Sequence, residues 1–425
     1  MDITVNPSEQ QLRTLFRRNI PQDDISVEES VRNIINDVRD NGDEALRRYA
    51  RQFDKAELDV IEVASSRLEQ ALNDVEKDVL DAIHRAAANI EAFHKAQLVE
   101  PIVVETQPGV TCVQRQVPIP RVGLYIPGGR APLFSTVLML AVPARLAGCR
   151  EVILCTPAGP GGYIAPEILA AAAICKVDKV FAVGGAQAIA AMAYGTESVP
   201  RVNKIFGPGN RFVTKAKQLV SLFTAIDMPA GPSEVMVMAD DEANPAYVAA
   251  DLLSQAEHGP DSQSVLLCLS EQFARKVQEQ VEILRRQLHR ADCIESSLAK
   301  SHIIVLPDVK SMIEASNEYA PEHLIIAMRD AQQVAQFTTE AGSVFVGDFA
   351  PESAGDYASG TNHTLPTGGW ASALSGVNTD SFMRRVTYQT LTREGLTALA
   401  PVITAMARAE GLDAHALAVT IRTEK

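Results

Sequence analysis

Four short stretches hold side chains whose types and spacing can do chemistry. In QAEHGPDSQ (255–263), Gln255 and His258 stand three apart near the end of an expected helix. Both can therefore face one point, as two metal ligands must. In YAPEHL (319–324), Glu322 and His323 are adjacent at the mouth of an apolar strand, behind a proline that restricts the backbone before it. A carboxylate can activate water while a neighbouring imidazole carries a proton, so this pair suits general acid–base work. ESAGDYASGTNH (352–363) carries Asp356, Asn362 and His363 in a Gly/Ser-rich run whose polarity predicts an exposed loop. ARAEGLDAH (407–415) supplies Glu410 and His415 from a C-terminal helix. Taken singly, each of these residues reads as an exposed polar side chain; their number is what argues for a site.

Three glycine-rich turns follow strands: IPGGRAP (126–132), VGGAQAIA (183–190) and IFGPGN (205–210). Helix N-termini at the carboxyl ends of strands in an open α/β sheet offer free N–H groups to phosphates. None of the turns reads GxGxxG, and no GxxxxGK[ST] is present. Together they point to a nucleotide or phosphate without saying which. The six cysteines, Cys112, Cys149, Cys155, Cys175, Cys268 and Cys293, are far apart with no CxxC pair and sit mostly in apolar runs. They read as reduced core thiols.

The elements that must position these groups follow from periodicity. Residues 7–97 read as helices, with Val31, Ile34, Ile35 and Val38 on one stripe and a break at Asn41-Gly42. His84 and His94 fall on or near helical surfaces with no metal-ligand partner and read as structural. From Val103 the chain turns β-rich and then alternates: VGLYIP, a helix, EVILC, a helix, VFAVGG. A second alternating series runs from EVMVMAD near Glu234 to SVFVGD. Strand–helix–strand alternation builds a parallel sheet covered by helices. The expected fold class is α/β: two Rossmann-like open parallel-sheet domains without the GxGxxG fingerprint, plus helical N- and C-terminal segments. The expected division is 1–120 with 236–380 as one unit including the N-terminal helices, 121–235 as the other, and 381–425 as a helical segment too short to fold alone.

Composition fits this reading. A chain of 425 residues has length for two or three domains, and 46% hydrophobic against 22% charged residues excludes a disordered chain. A net charge of −14 with no basic cluster argues against a nucleic-acid partner and for a small molecule. No secretory signal pattern and no membrane-spanning apolar run are seen, so a soluble cytoplasmic protein is expected.

The blocks VGLYIPGGRAPLFSTVLMLAVPARLAGC, VGGAQAIAAMAYGTESVP, KIFGPGN, DMPAGPSEV, DLLSQAEHGPDSQ, YAPEHL, AGSVFVGD and ESAGDYASGTNHTLPT together resemble the histidinol dehydrogenase family. The resemblance runs over nearly the whole chain. It implies a zinc- and NAD-dependent oxidation of L-histidinol to L-histidine through L-histidinaldehyde, in a homodimer with shared active sites. It implies one zinc per subunit held by Gln255, His258, Asp356 and a His415 donated by the partner chain. It implies Glu322 as general base and His323 as proton shuttle. Substrate contacts fall to Ser233, Gln255, His258, His323, Asp356, Glu410 and His415, and nucleotide contacts to Tyr125, Gln187 and Asn210. A relative acting on another amino alcohol would be expected to change Glu410 and His415, which are both present.

Overall fold

The computed structural model of the single chain describes residues 1–18, 25–128, 132–228 and 231–423. Gly129, Arg130 and Ala131 of the first glycine turn lie outside the described residues. Fourteen strands are seen among them: β1 (Asp2–Val5), β2 (Ile102–Gln107), β3 (Val110–Pro118), β4 (Arg121–Tyr125), β5 (Glu151–Thr156), β6 (Lys179–Ala182), β7 (Lys204–Phe206), β8 (Ala225–Ile226), β9 (Glu234–Ala239), β10 (Gln263–Cys268), β11 (His302–Val305), β12 (His323–Ala327), β13 (Ser343–Val346) and β14 (Met383–Leu391). A five-stranded parallel sheet has the order β6-β5-β4-β7-β8. A six-stranded parallel sheet has the order β1-β11-β10-β9-β12-β13. The expected fold class is what the structure has.

Each sheet is buried on both faces, because successive side chains on a strand point to opposite sides. On β9, Val235, Val237 and Ala239 join one core and Met236 and Met238 another. On β5, Val152 and Leu154 join one core and Ile153 and Cys155 another. Chain order reverses between β4 and β7 in the first sheet and between β9 and β12 in the second. Crevices at such switch points are where ligands enter open α/β sheets.

Two expectations are corrected. The N-terminal helices do not cover the sheet built from residues 234–346. Helix Ile25–Tyr49 packs on helices Gly185–Tyr194 and Arg211–Val220, Ser65–Asp74 on Pro166–Ile174, and Lys77–Lys95 on Phe134–Ala147, all beside the five-stranded sheet. The stripe Val31, Ile34, Ile35 and Val38 finds its apolar partners there, in the core with Ile189 and Met192. From the N-terminal region the six-stranded sheet receives β1, paired with β11, and Phe16 in its core. Second, the segment after Ser381 opens with a strand, not a helix. β14 pairs antiparallel with β3 in a separate sheet, β14-β3-β2, and is exposed along most of its length. An exposed strand carries no apolar alternation to announce it. His94, read as structural, is buried on helix Lys77–Lys95, with Nδ1 2.9 Å from the Ile90 carbonyl oxygen. The break at Gly42 is present as non-helical backbone inside helix Ile25–Tyr49.

Candidate active site

The chemistry gathers where β9 and β12 begin. Helix Val309–Tyr319 ends in a left-handed Ala320, Pro321 follows, and Glu322 and His323 enter β12 buried, at 5% and 4% exposure. The backbone of Glu234, first residue of β9, holds both. Its N–H donates to Glu322 Oε2 at 2.9 Å, and its carbonyl oxygen lies 3.3 Å from His323 Nδ1. Glu352 Oε1 at 3.6 Å and Glu322 Oε2 at 3.7 Å also face His323 Nδ1. A nitrogen ringed by acceptors carries the proton, which leaves the lone pair on Nε2. That Nε2 is buried without a hydrogen bond and stands 3.7 Å from Asp356 Oδ1.

The stretch containing Asp356 is not the exposed loop its polarity suggested. Glu352–Tyr357 is one short helix, with Glu352 and Asp356 on the same face and both buried. It lies close on β13, since a Cβ at Gly355 would sit 2.7 Å from the Phe345 ring. His258 follows helix Pro245–Ala256. Its Nδ1 is 2.9 Å from the Ser254 carbonyl oxygen, so Nε2 is the free nitrogen, and it faces Asp356 Oδ2 at 3.8 Å. A backbone acceptor on one ring nitrogen, with the other turned to the site, is how a metal-ligating histidine is oriented. Ligand atoms of His258, Glu352 and Asp356 lie within 4.8 Å of one another. Gln255 is fully buried, and neither its amide oxygen nor its nitrogen has a hydrogen-bond partner; nor does either Glu352 oxygen. Buried, unanswered acceptors are costly, and a divalent cation would answer them. The donor set of nitrogen, carboxylate and amide oxygen fits zinc.

Burial governs the titration of this cluster. It pushes the Glu322 and Glu352 carboxyls well above the usual carboxylate range, with neighbouring carboxylates adding to the shift. It pushes His323 down to about 4, so the imidazole is neutral near pH 7. Asp251, half-buried, is pushed up to about 7 by desolvation.

Ser233 is half-buried immediately before β9, and its carbonyl accepts from Gln263 N–H. Glu410 lies exposed just past helix Arg393–Ala409, as its C-cap, and His415 exposed on helix Asp413–Thr423; the two helices pack on one another, the first also on β14. Within one chain these two are not brought to the cluster.

Tyr125, Gln187 and Asn210 lie at the carboxyl edge of the five-stranded sheet. Tyr125 ends β4, and its buried hydroxyl accepts from Gly185 N–H at 3.0 Å. Gln187 is buried in the first turn of helix Gly185–Tyr194. Asn210 caps helix Arg211–Val220, accepting from the N–H groups of Phe212 and Val213. Between them, Gly207 has φ 122°, and a Cβ there would sit 2.1 Å from the Tyr125 carbonyl oxygen. No other residue fits that approach. Asp227 accepts from Gly207 N–H, Lys217 donates to Gly207 O at 2.8 Å, and the two buried side chains pair. This crevice adjoins the first cluster: His363 has Nε2 3.2 Å from Thr136 Oγ1 and Nδ1 2.8 Å from the Asp356 carbonyl oxygen.

Sequence reasoning passed over Glu234 and Glu352. A glutamate opening the otherwise apolar strand EVMVMA is a signal for a buried carboxylate, and Glu352 stands one helical turn before Asp356.

A sequence model of the family "Histidinol dehydrogenase" matches residues 17–423. A histidinol dehydrogenase of Bacteroides fragilis is 54% identical, covering 100% of this chain and 99% of the relative. One of Escherichia coli (strain K12) is 52% identical over 98% of this chain and 95% of the relative. The crystal structure of histidinol dehydrogenase from Elizabethkingia anophelis superposes with a TM-score of 0.96 at 47% identity, covering 99% of this chain and 98% of that one.

The buried carboxyls give a test independent of turnover. A carboxyl whose folded pKa lies above its unfolded value stabilises the fold while protonated, and that contribution is lost as pH rises through the folded value. His323, with a lowered pKa, is neutral in both states above about pH 7 and adds no slope there. Metal-free protein is therefore expected to lose thermal stability as pH is raised above about 7, and added zinc to flatten that loss. Melting temperatures across this range, with chelator and with zinc, check it; a flat metal-free profile would contradict it.

Proposed function

The chain belongs to the histidinol dehydrogenase family, oxidoreductases of histidine biosynthesis, and from that premise we propose that it oxidises L-histidinol to L-histidine through bound L-histidinaldehyde, using zinc and two NAD per turnover. The observation that carries this reading is the buried Glu322–His323 pair held by the Glu234 backbone beside the His258, Asp356 and Glu352 cluster.

Gln255, His258 and Asp356 would hold the zinc, with His415 of a second copy as the remaining ligand. When bound there, zinc supplies a fixed positive charge that orients substrate nitrogens. Tyr125, Gln187 and Asn210 would hold NAD, which supplies the hydride acceptor. The protein's own groups handle the protons. His323 is neutral and its Nδ1 proton is engaged, so Nε2 is the atom that takes the alcohol proton as the carbinol carbon is oxidised. With zinc bound, its charge would favour the carboxylate form of Glu322, which then takes a proton from the water that adds to the aldehyde, and the resulting gem-diol is oxidised in turn. Ser233 and Glu410 would contact the substrate, Glu410 from the same partner segment as His415. The reading assigns no role to a thiol, and burial pushes Cys149 up to about 11, and Cys175 and Cys268 to about 12, so these three sulfurs stay protonated and poorly nucleophilic.

The homodimer is supported by the surface. Leu391, Val402, Met406, Leu412, Leu417 and Ile421 are exposed apolar side chains on the C-terminal segment, and Ile102, Val103 and Val104 are exposed on β2. Such a patch suits a second copy of the chain, and residues 381–425 are then the arm that completes the neighbour's site. Among the described residues no helix is long and apolar enough to cross a membrane. Six cysteines with no disulfide among them suit a reducing compartment, and we propose the cytoplasm.

Replacing Glu322 with Gln is expected to slow oxidation of supplied L-histidinaldehyde by on the order of 10²-fold or more while leaving zinc content near one per subunit. Equal losses of zinc and turnover would reassign Glu322 to a structural role. For the shared site, inactive H415A and inactive H258A chains are mixed and allowed to exchange subunits. Partial return of activity is expected in the heterodimers, and none, despite verified exchange, would confine the site to one chain.

A further inference from the structure

Arg18 belongs to no sheet. It follows helix Glu9–Leu15, yet its guanidinium reaches the entry of β9 and β12, where the candidate catalytic pair is held. Its Nε donates to Glu234 Oε2 at 2.5 Å and its Nη2 to Glu234 Oε1 at 3.0 Å, a two-point pair. The same Nη2 donates to the Tyr319 carbonyl oxygen at 2.5 Å, and the guanidinium carbon lies 3.8 Å above the Tyr319 ring. Gly368 N–H gives Glu234 Oε1 a further donor at 3.1 Å, and the Tyr319 hydroxyl donates to Gln263 Oε1 at 2.8 Å. The Arg18 and Glu234 side chains are only 16% and 3% exposed.

Two chain segments are thus tied to one guanidinium. One is Glu234, whose backbone N–H and carbonyl hold Glu322 and His323. The other is the turn at Tyr319, three residues ahead of Glu322. We propose that Arg18 is a positioning residue: by pairing with the Glu234 carboxylate and the Tyr319 carbonyl it fixes the spacing of the β9 and β12 entries, and through them the placement of Glu322 and His323.

The energetics favour a tight coupling. A buried carboxylate stripped of its partner either takes a proton or moves toward water. Movement of Glu234 carries its N–H away from Glu322 and its carbonyl away from His323. A displacement of about 1 Å in such a constellation slows chemistry by roughly 10²-fold. Lysine would pair with Glu234 as a point charge but lacks the planar fork that also reaches Tyr319.

The inference rests on the reading that Glu322 and His323 carry the proton transfers, so its test includes a readout independent of turnover. Zinc-loaded wild type, R18K, R18M and R18M/E234Q are compared. Per active site, counted by the amplitude of a single turnover, R18M is expected to slow both L-histidinol and L-histidinaldehyde oxidation by roughly 10- to 100-fold. KM and zinc content should stay within about two-fold, R18K should fall between, and R18M/E234Q should recover part of the loss because a neutral amide needs no counter-charge. In nitrogen-15-labelled protein the His323 Nδ1 proton signal should shift in R18M. If R18M does not fold, R18K carries the same comparisons. A loss of active fraction with unchanged rate per site, or an unmoved His323 signal with full activity, overturns the proposal. A wild type that makes no NADH from L-histidinol while the His323 signal still moves in R18M refutes the functional reading and leaves the positioning role standing.

Discussion

Glu234, Glu322, Glu352 and Asp356 are all buried at the amino edge of the six-stranded sheet, and a folded protein cannot hold so many carboxylates out of water unless each is answered. Glu234 has Arg18, and Glu322 has the Glu234 N–H. The oxygens of Glu352 have no hydrogen-bond partner, and its neighbour Asp356 faces the free ring nitrogens of His258 and His323. Evolution does not leave such a site standing for stability, since apolar residues of similar volume would cost less. On the function proposed above, the unanswered oxygens would receive a cation and the neutral His323 beside them a substrate proton.

Topology brings the two halves of the chemistry together. The first sheet reverses chain order between β4 and β7, and at that carboxyl edge Gly207 lets the end of β7 pack closely on the Tyr125 backbone. The second sheet uses its opposite, amino edge, where β9 and β12 enter side by side. His363, between Thr136 and Asp356, marks where the two edges meet. A hydride acceptor held on one sheet and a proton acceptor held on the other can then work on one carbon.

Much of this was legible in the sequence because it is local. The alternation of apolar strands and helices gave the α/β class, and adjacency gave Glu322 with His323. The three-residue spacing of Gln255 and His258 was equally readable. What was not legible is long-range or buried against its own polarity. Arg18 and Glu234 are 216 residues apart, and nothing in either neighbourhood names the other. The run after Pro351 looked like a loop because six residues are too few to show a helical period, and only Gly355 against Phe345 reveals how deeply it is pressed down. The N-terminal helices showed their apolar stripe but not which sheet would receive it. β14 is exposed along most of its length, so its hydrogen bonds, not its hydrophobicity, make it a strand.

The central claim is that one buried cluster carries both oxidations, the alcohol by way of His323 and the aldehyde by way of Glu322. The yield of NADH per L-histidinol consumed by the zinc-loaded protein tests it most directly. The account requires two; a yield of one, with aldehyde accumulating, would contradict it.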